Sequence, residues 1–207
     1  MTLINPWVRW TRLVLGTAAL GAVLSACTPL VVGGGMLTGA MVAADRRTSG
    51  AQLDDQGIEL RAANRLSETF GGRARISVTS YNRRVLLTGE VANARDRQLA
   101  EDTVKKIDNV NLVYNELGIT NSPTFTEKAA DTLLTGRVKA GLVDTKKLSA
   151  NSFKVVSERS TVYLMGRVTQ READQATEVA RTTKGAQRVV RVFEILTEEE
   201  LARMATQ

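Results

Sequence analysis

The chain contains no histidine and a single cysteine, Cys27. Without imidazole there is no Ser-His or Cys-His pair to activate a nucleophile, and no His/Cys zinc site. A phosphate-cradling loop is missing too. Gly33-Gly34-Gly35 follows Val31-Val32, but no Lys-Ser/Thr pair follows at P-loop spacing. Paired acids do occur, at Asp54-Asp55 and Glu101-Asp102. They lie in polar segments that read as solvated, where salt bridging or solubility is their role. The chain therefore reads as a non-enzyme with no metal and no bound cofactor.

Long apolar runs are also scarce. The stretch from Leu13 to Val23 is too short to span a hydrocarbon core of ~30 Å. It follows Arg9 and Arg12 and leads into Leu24-Ser25-Ala26-Cys27. A positive n-region, a short h-region and a small-residue cleavage site make a secretory signal over residues 1–26. Leu-Ser-Ala-Cys resembles the lipobox of bacterial lipoproteins. That resemblance implies cleavage before Cys27 and its acylation, which accounts for a lone cysteine in a secreted chain. Removing the signal leaves 181 residues with 26 basic and 22 acidic side chains, a net of +4. This balance fits an anionic surface without demanding one. Nucleic acid is a poor partner for a secreted, tethered chain.

Residues 27–53 read as a lipidated flexible tether, rich in Gly, Ala, Thr and Val, with Asp45-Arg46-Arg47 opening its polar section. The rest is an internal duplication. Residues 76–101 match 153–178 at an offset of 77, including Val78/Val155, Ser80/Ser157, Val85/Val162, Leu87/Leu164, Gly89/Gly166 and Val91/Val168. Leu66 aligns with Leu142 at an offset of 76. Each copy reads helix, strand, strand, helix, strand. Ile58, Ala62 and Leu66 recur at helical spacing, and Val85, Leu87, Gly89 and Val91 keep one strand face. Asn82-Arg83 marks a tight turn, Asn93 opens a helix, and Thr169 to Glu172 form a capping box. Val113, Asn115, Leu117 and Ile119 alternate as one last strand. Val189 to Leu196 is apolar on both faces, as on a strand covered on both sides. A right-handed crossover makes the second and third strands of each copy parallel. The expected fold is α+β, with a three-stranded mixed sheet and two helices per copy. The copies span 54–120 and 124–197, and a charged tail, 198–207, adds a short helix. Gly89 and Gly166 are read as structural, admitting close packing on a strand. Tyr114 and Tyr163 are read as core or interdomain packing.

Val85-Leu86-Leu87-Thr88-Gly89-Glu90-Val91, followed by a helix and by Asn109 to Leu117, resembles a BON domain. Val162 to Val168 with Gly185 to Val190 resembles a second. With the lipobox, the tether and Asp45-Arg46-Arg47-Thr48, the whole resembles the dual-BON outer-membrane lipoproteins of the DolP type. The resemblance implies a periplasm-facing outer-membrane lipoprotein whose second domain binds anionic phospholipid, especially phosphatidylglycerol. It also implies roles in envelope integrity, at division sites and alongside the outer-membrane protein assembly machinery. Thr28 in place of the common Asp retention signal agrees with outer-membrane sorting. Where the family pattern has a tryptophan, on the first helix of the second domain, this chain has Leu133.

That helix, about Thr126 to Val143, differs from its counterpart. Leu133 aligns with Gly57 and Lys139 with Ala63, and Lys146-Lys147 follow. The expected phospholipid-binding residues are Leu133, Leu134, Arg137, Val138, Lys139 and Val143. Spacing alone leaves a second reading open, in which Leu133, Leu134, Val138 and Leu142 are core and the lysines merely solvated. A protein-binding or chaperone-like module without a headgroup site is the alternative function, and a peptidoglycan-bound structural protein a third.

Overall fold

The computed structural model describes residues 45–120, 122–145 and 148–204. The signal segment, Cys27, most of the tether and Lys146-Lys147 lie outside them.

The first repeat opens with α1, Ser49–Phe70. Thr48 caps it, its hydroxyl accepting from Ala51 N, and Gly71 ends it in the left-handed region. β1, Arg75–Tyr81, and β2, Arg84–Val91, form an antiparallel hairpin in which Val78 faces Leu87. Its turn is Asn82-Arg83, with φ of 50° and 62°, the left-handed pair a two-residue hairpin needs. Asn93 caps α2, Ala94–Lys105, and the chain returns parallel to β2 as β3, Leu112–Asn115, and β4, Gly118–Ile119. The single last strand expected over 113–119 is thus broken. Asn115 Oδ1 accepts from Leu117 N at 3.3 Å, which bends the chain and turns Leu117 into the core.

The second repeat follows the same order. Thr124 and Glu127 make a capping box for α3, Phe125–Asp144. β5, Phe153–Glu158, pairs antiparallel with β6, Thr161–Thr169, through Arg159-Ser160, again at positive φ. Thr169 and Glu172 cap α4, Gln170–Thr182, and β7, Arg188–Leu196, runs parallel to β6 along its length. The tail forms α5, Glu198–Met204.

Each sheet carries its helices on one face. Ile58, Ala62 and Leu66 of α1 and Ala100 and Val104 of α2 pack on Val85, Leu87 and Val91. In the second copy, Leu134, Val138 and Leu142 of α3 and Ala173, Ala176 and Ala180 of α4 pack on Val162, Leu164 and Val168. The other sheet faces meet each other through Tyr81, Leu86, Tyr163, Met165 and Val192, with Tyr114 and Val190 at the margin. Full burial of a side chain such as Leu86 or Met165 contributes about 1.5–3 kcal/mol, so this seam joins the repeats firmly. Lys154 Nζ to Glu59 at 2.8 Å, Asn82 Nδ2 to Glu194 at 2.5 Å, and Arg75 to Glu158 fasten its rim. Among the described residues the helices therefore lie on the outer sides of the two sheets.

Residues 45–53 are not a flexible tether. Arg46 makes a bidentate pair with Glu172, at 2.7 and 2.8 Å, and exchanges hydrogen bonds with Arg167 through both backbone carbonyls. Arg47 pairs with Asp45 and Asp55 and lies 4.3 Å over the Tyr81 ring. The charged run finds partners in both repeats, Asp55 eight residues on and Glu172 126 residues on, and α1 starts at Ser49. Burial works against ionised Glu172, but Arg46 and the Thr169 N–H outweigh it and hold its carboxyl below the ordinary 4.5. A depressed folded value means the contribution is complete above about pH 4.5 and is lost as pH falls through the lower folded value. Arg46→Ala is therefore expected to cost about 3 kcal/mol at pH 7, by leaving Glu172 buried and unpaired. Melting curves should show the gap between parent and variant narrowing below pH 4. A gap independent of pH would assign the loss to something other than this pair.

Candidate functional site: the outer face of the second repeat

The sheet lies under one side of α3 and takes Asp131, Leu134, Val138 and Leu142. Leu134 and Val138 are therefore core residues, not lipid contacts. Their i, i+4, i+8 line is the one the sheet covers. Leu133 and Val143 point the other way, 59% and 65% exposed.

On the outer side they join a line absent from the sequence reading. Phe125, Ala129, Leu133, Gly136, Ala140 and Val143 recur every three or four residues and are all exposed. At 3.6 residues per turn they share one side of the helix over roughly 27 Å. Phe125, the first helical residue, is 87% exposed. It sits two turns before Leu133 and adds an aromatic ring to the same side of the helix. The capping box at Thr124 and Glu127 is the sequence signal that would have placed it on the helix.

Cations edge this line. Lys128 and Lys139 lie on one flank and Arg137 on the other, all exposed. Neither lysine has an ion-pair partner among the described residues. Arg137 Nη1 donates to the Lys184 carbonyl at 3.3 Å, which turns its guanidinium toward the loop after α4. The corresponding line on α1 reads Ser49, Leu53, Gly57, Leu60, Asn64 and Ser67. It exposes two leucines, but polar side chains interrupt it.

The two structural glycines sit where backbones come closest. Gly89 has φ +116°, and a Cβ there would lie 2.0 Å from Arg75 O. A Cβ on Gly166 would lie 2.6 Å from Ser152 O. Asp54 is half-buried and salt-bridged, to Arg83 at 2.6 Å, in keeping with the salt-bridging role expected of it. Asp55 is not solvated. It is 2% exposed and accepts from Arg47 Nη1, Ser80 Oγ, Asn82 N and Arg83 N at 2.7–2.8 Å. It pins the hairpin turn and answers the half-buried Arg47.

These features meet their match among known proteins. The BON domain family matches residues 54–121 and 130–197. The chain is 37% identical over 175 residues to outer membrane lipoprotein DolP of Haemophilus influenzae, covering 84% of this chain and 90% of that protein. It is 31% identical over 151 residues to a 21 kDa hemolysin of Actinobacillus pleuropneumoniae, covering 72% and 78%. Among solved structures, CdsD, a structural protein of the type III secretion system of Chlamydia trachomatis, matches at 14% identity and a TM-score of 0.30, covering 70% of this chain and 97% of that one. That likeness is too slight to build on. The chain belongs to the BON-domain family, and within it to the dual-BON, DolP-like outer-membrane lipoproteins.

Proposed function

We propose that the protein is a non-enzymatic lipoprotein, anchored through acylated Cys27 to the periplasmic face of the outer membrane. There it docks α3 of its second BON domain on anionic phospholipid, phosphatidylglycerol in particular. In this role it supports envelope integrity and outer-membrane protein assembly, as the family resemblance implies.

The uninterrupted apolar line on α3, edged by Lys128, Lys139 and Arg137, carries this reading. An exposed line of this kind that ends in an aromatic suits an interface, with apolar side chains among the upper acyl groups and cations at the headgroups. Each basic residue near an anionic surface contributes on the order of 1 kcal/mol, so three amount to about two orders of magnitude in affinity. A zwitterionic surface supplies none of that.

The test is co-sedimentation of residues 27–207 carrying Cys27→Ser, and so without acyl chains, with vesicles of phosphatidylglycerol or of phosphatidylcholine. Selective pelleting with phosphatidylglycerol, weakening as salt is raised, is expected. Equal pelleting with both lipids would remove the role of the cations. No pelleting with either would favour a protein-binding module.

A further inference from the structure

The internal duplication sets one repeat beside the other, and a site at the edge of the membrane face, sharing Lys128 with it, results. In the first repeat Asp55 accepts four hydrogen bonds: two from the turn N–H groups of Asn82 and Arg83, one from Ser80 Oγ, one from the Arg47 guanidinium. In the second repeat Asp131 takes the equivalent place. It is 7% exposed and accepts the turn N–H groups of Arg159 and Ser160 at 2.7 and 2.9 Å. There the correspondence stops. Ser157, the counterpart of Ser80, has its Oγ buried with no hydrogen-bond partner among the described residues. Among the described residues no arginine or lysine pairs with Asp131.

The reason lies just ahead of the helix caps. Thr48 and Thr124 cap α1 and α3 with nearly the same backbone, φ −67° and ψ 155° against φ −67° and ψ 163°. Arg47 precedes the first cap, and Pro123 precedes the second. Proline sends no cation back to the carboxylate. Beside Asp131 lies a cleft of about 350 Å³, lined by Arg75, Lys128, Asp131, Thr132, Ser157 and Glu158, among others. Glu158 stands where the first repeat has Tyr81, under the Arg47 guanidinium. Arg75 is committed to Glu90 and Glu158 and does not reach Asp131. A carboxylate offers about four acceptor positions, and among the described residues two of those of Asp131 are taken.

We infer that this cleft receives an arginine side chain presented by a protein partner. Its guanidinium takes the place at Asp131 that Arg47 takes at Asp55, and donates to the acceptor positions left there and to Ser157 Oγ. The seat is specific because a buried carboxylate rewards a planar, multiply donating cation far more than an exposed one does. Lys128, at the cleft mouth, opposes the incoming charge. It is long and exposed and able to swing aside. The inference does not depend on membrane docking, since Asp131 faces the sheet side of α3.

The probe is an acetylated, amidated peptide with the sequence of residues 44–50, titrated onto the full-length chain in detergent and followed by NMR shifts at Ser157 and Ser160. Saturable binding is expected, lost when both peptide arginines are glutamine and weakened at least tenfold by Asp131→Asn. Lys128→Ala should tighten binding several-fold. Pro123→Arg should supply the cation from within, raise the melting temperature and block the peptide. The last two variants alter surface positions, so they decide the matter even if Asp131→Asn fails to fold. No saturable binding to the parent, or binding indifferent to Asp131→Asn and to Pro123→Arg, would overturn the inference. So would weaker binding to Lys128→Ala, or displacement of the peptide by short-chain phosphatidylglycerol, since each marks the cleft as an anion or lipid site.

Discussion

Gly89→Val is expected to unfold the first repeat. Two effects add. The φ of +116° is one that a β-branched residue does not adopt without strain. The new Cβ would also lie 2.0 Å from the Arg75 carbonyl oxygen, inside the ladder that pairs β1 with β2. Backbone cannot yield as a flexible side chain can, so the hairpin must separate. Leu86 on β2 belongs to the seam between the repeats, so the damage extends to the second sheet. The cost exceeds 4 kcal/mol, a large part of a typical total stability of 5–15 kcal/mol. Circular dichroism and thermal melting should show loss of the cooperative transition or a fall of well over 10 °C. Gly166→Arg should act in the same direction on the second repeat, where Ser152 O stands 2.6 Å from the added Cβ. A parent-like melt for Gly89→Val would mean that the strands do not approach as described.

The double substitution Phe125→Glu, Leu133→Glu is expected to abolish binding to phosphatidylglycerol vesicles while leaving the fold intact. Both side chains are exposed and make no part of either core, so their loss costs little stability. Each change removes an apolar contact with the bilayer and adds repulsion from its anionic surface. Together they should reduce binding by two or more orders of magnitude, with unchanged circular dichroism. The matching pair on α1, Leu53→Glu and Leu60→Glu, should leave binding near the parent level. Ser49, Asn64 and Ser67 confine the apolar part of that line to Leu53, Gly57 and Leu60, less than half the length of the strip on α3. Equal losses in both double variants would point to a general effect of negative charge rather than to a docking face.

The duplication and its strands were legible because strand faces impose a period of two that survives in Val78, Val85, Leu87 and Val91 and in their partners. The turn at Asn82-Arg83 and the cap at Asn93 were legible because local chemistry decides them. Arg46 was not, since its partner Glu172 lies 126 residues away and only the packed sheets bring them together. Asp55 was misread for a related reason. A polar run looks solvated until the hairpin turn folds over it, although its repetition as Asp131, alongside Ser80 and Ser157, was a signal in plain sequence. On α3 the helix carries apolar residues on both sides. Spacing left a lipid-facing and a core reading of the same residues open, because which side the sheet covers is a fact of topology. Leu134 and Val138 went to the sheet, and Leu133 and Val143 to the outside.

The central claim is that the outer side of α3 enters an anionic bilayer. From Cys27 onward the chain has no tryptophan, so Leu133→Trp installs a single indole on that face. Its emission should shift to the blue on adding phosphatidylglycerol vesicles, and brominated acyl chains should quench it. Phosphatidylcholine vesicles should do neither, and the same probe at Leu53 should stay solvated with both. An indole at position 133 that remains in water with phosphatidylglycerol, or one at position 53 that enters equally well, would contradict the account.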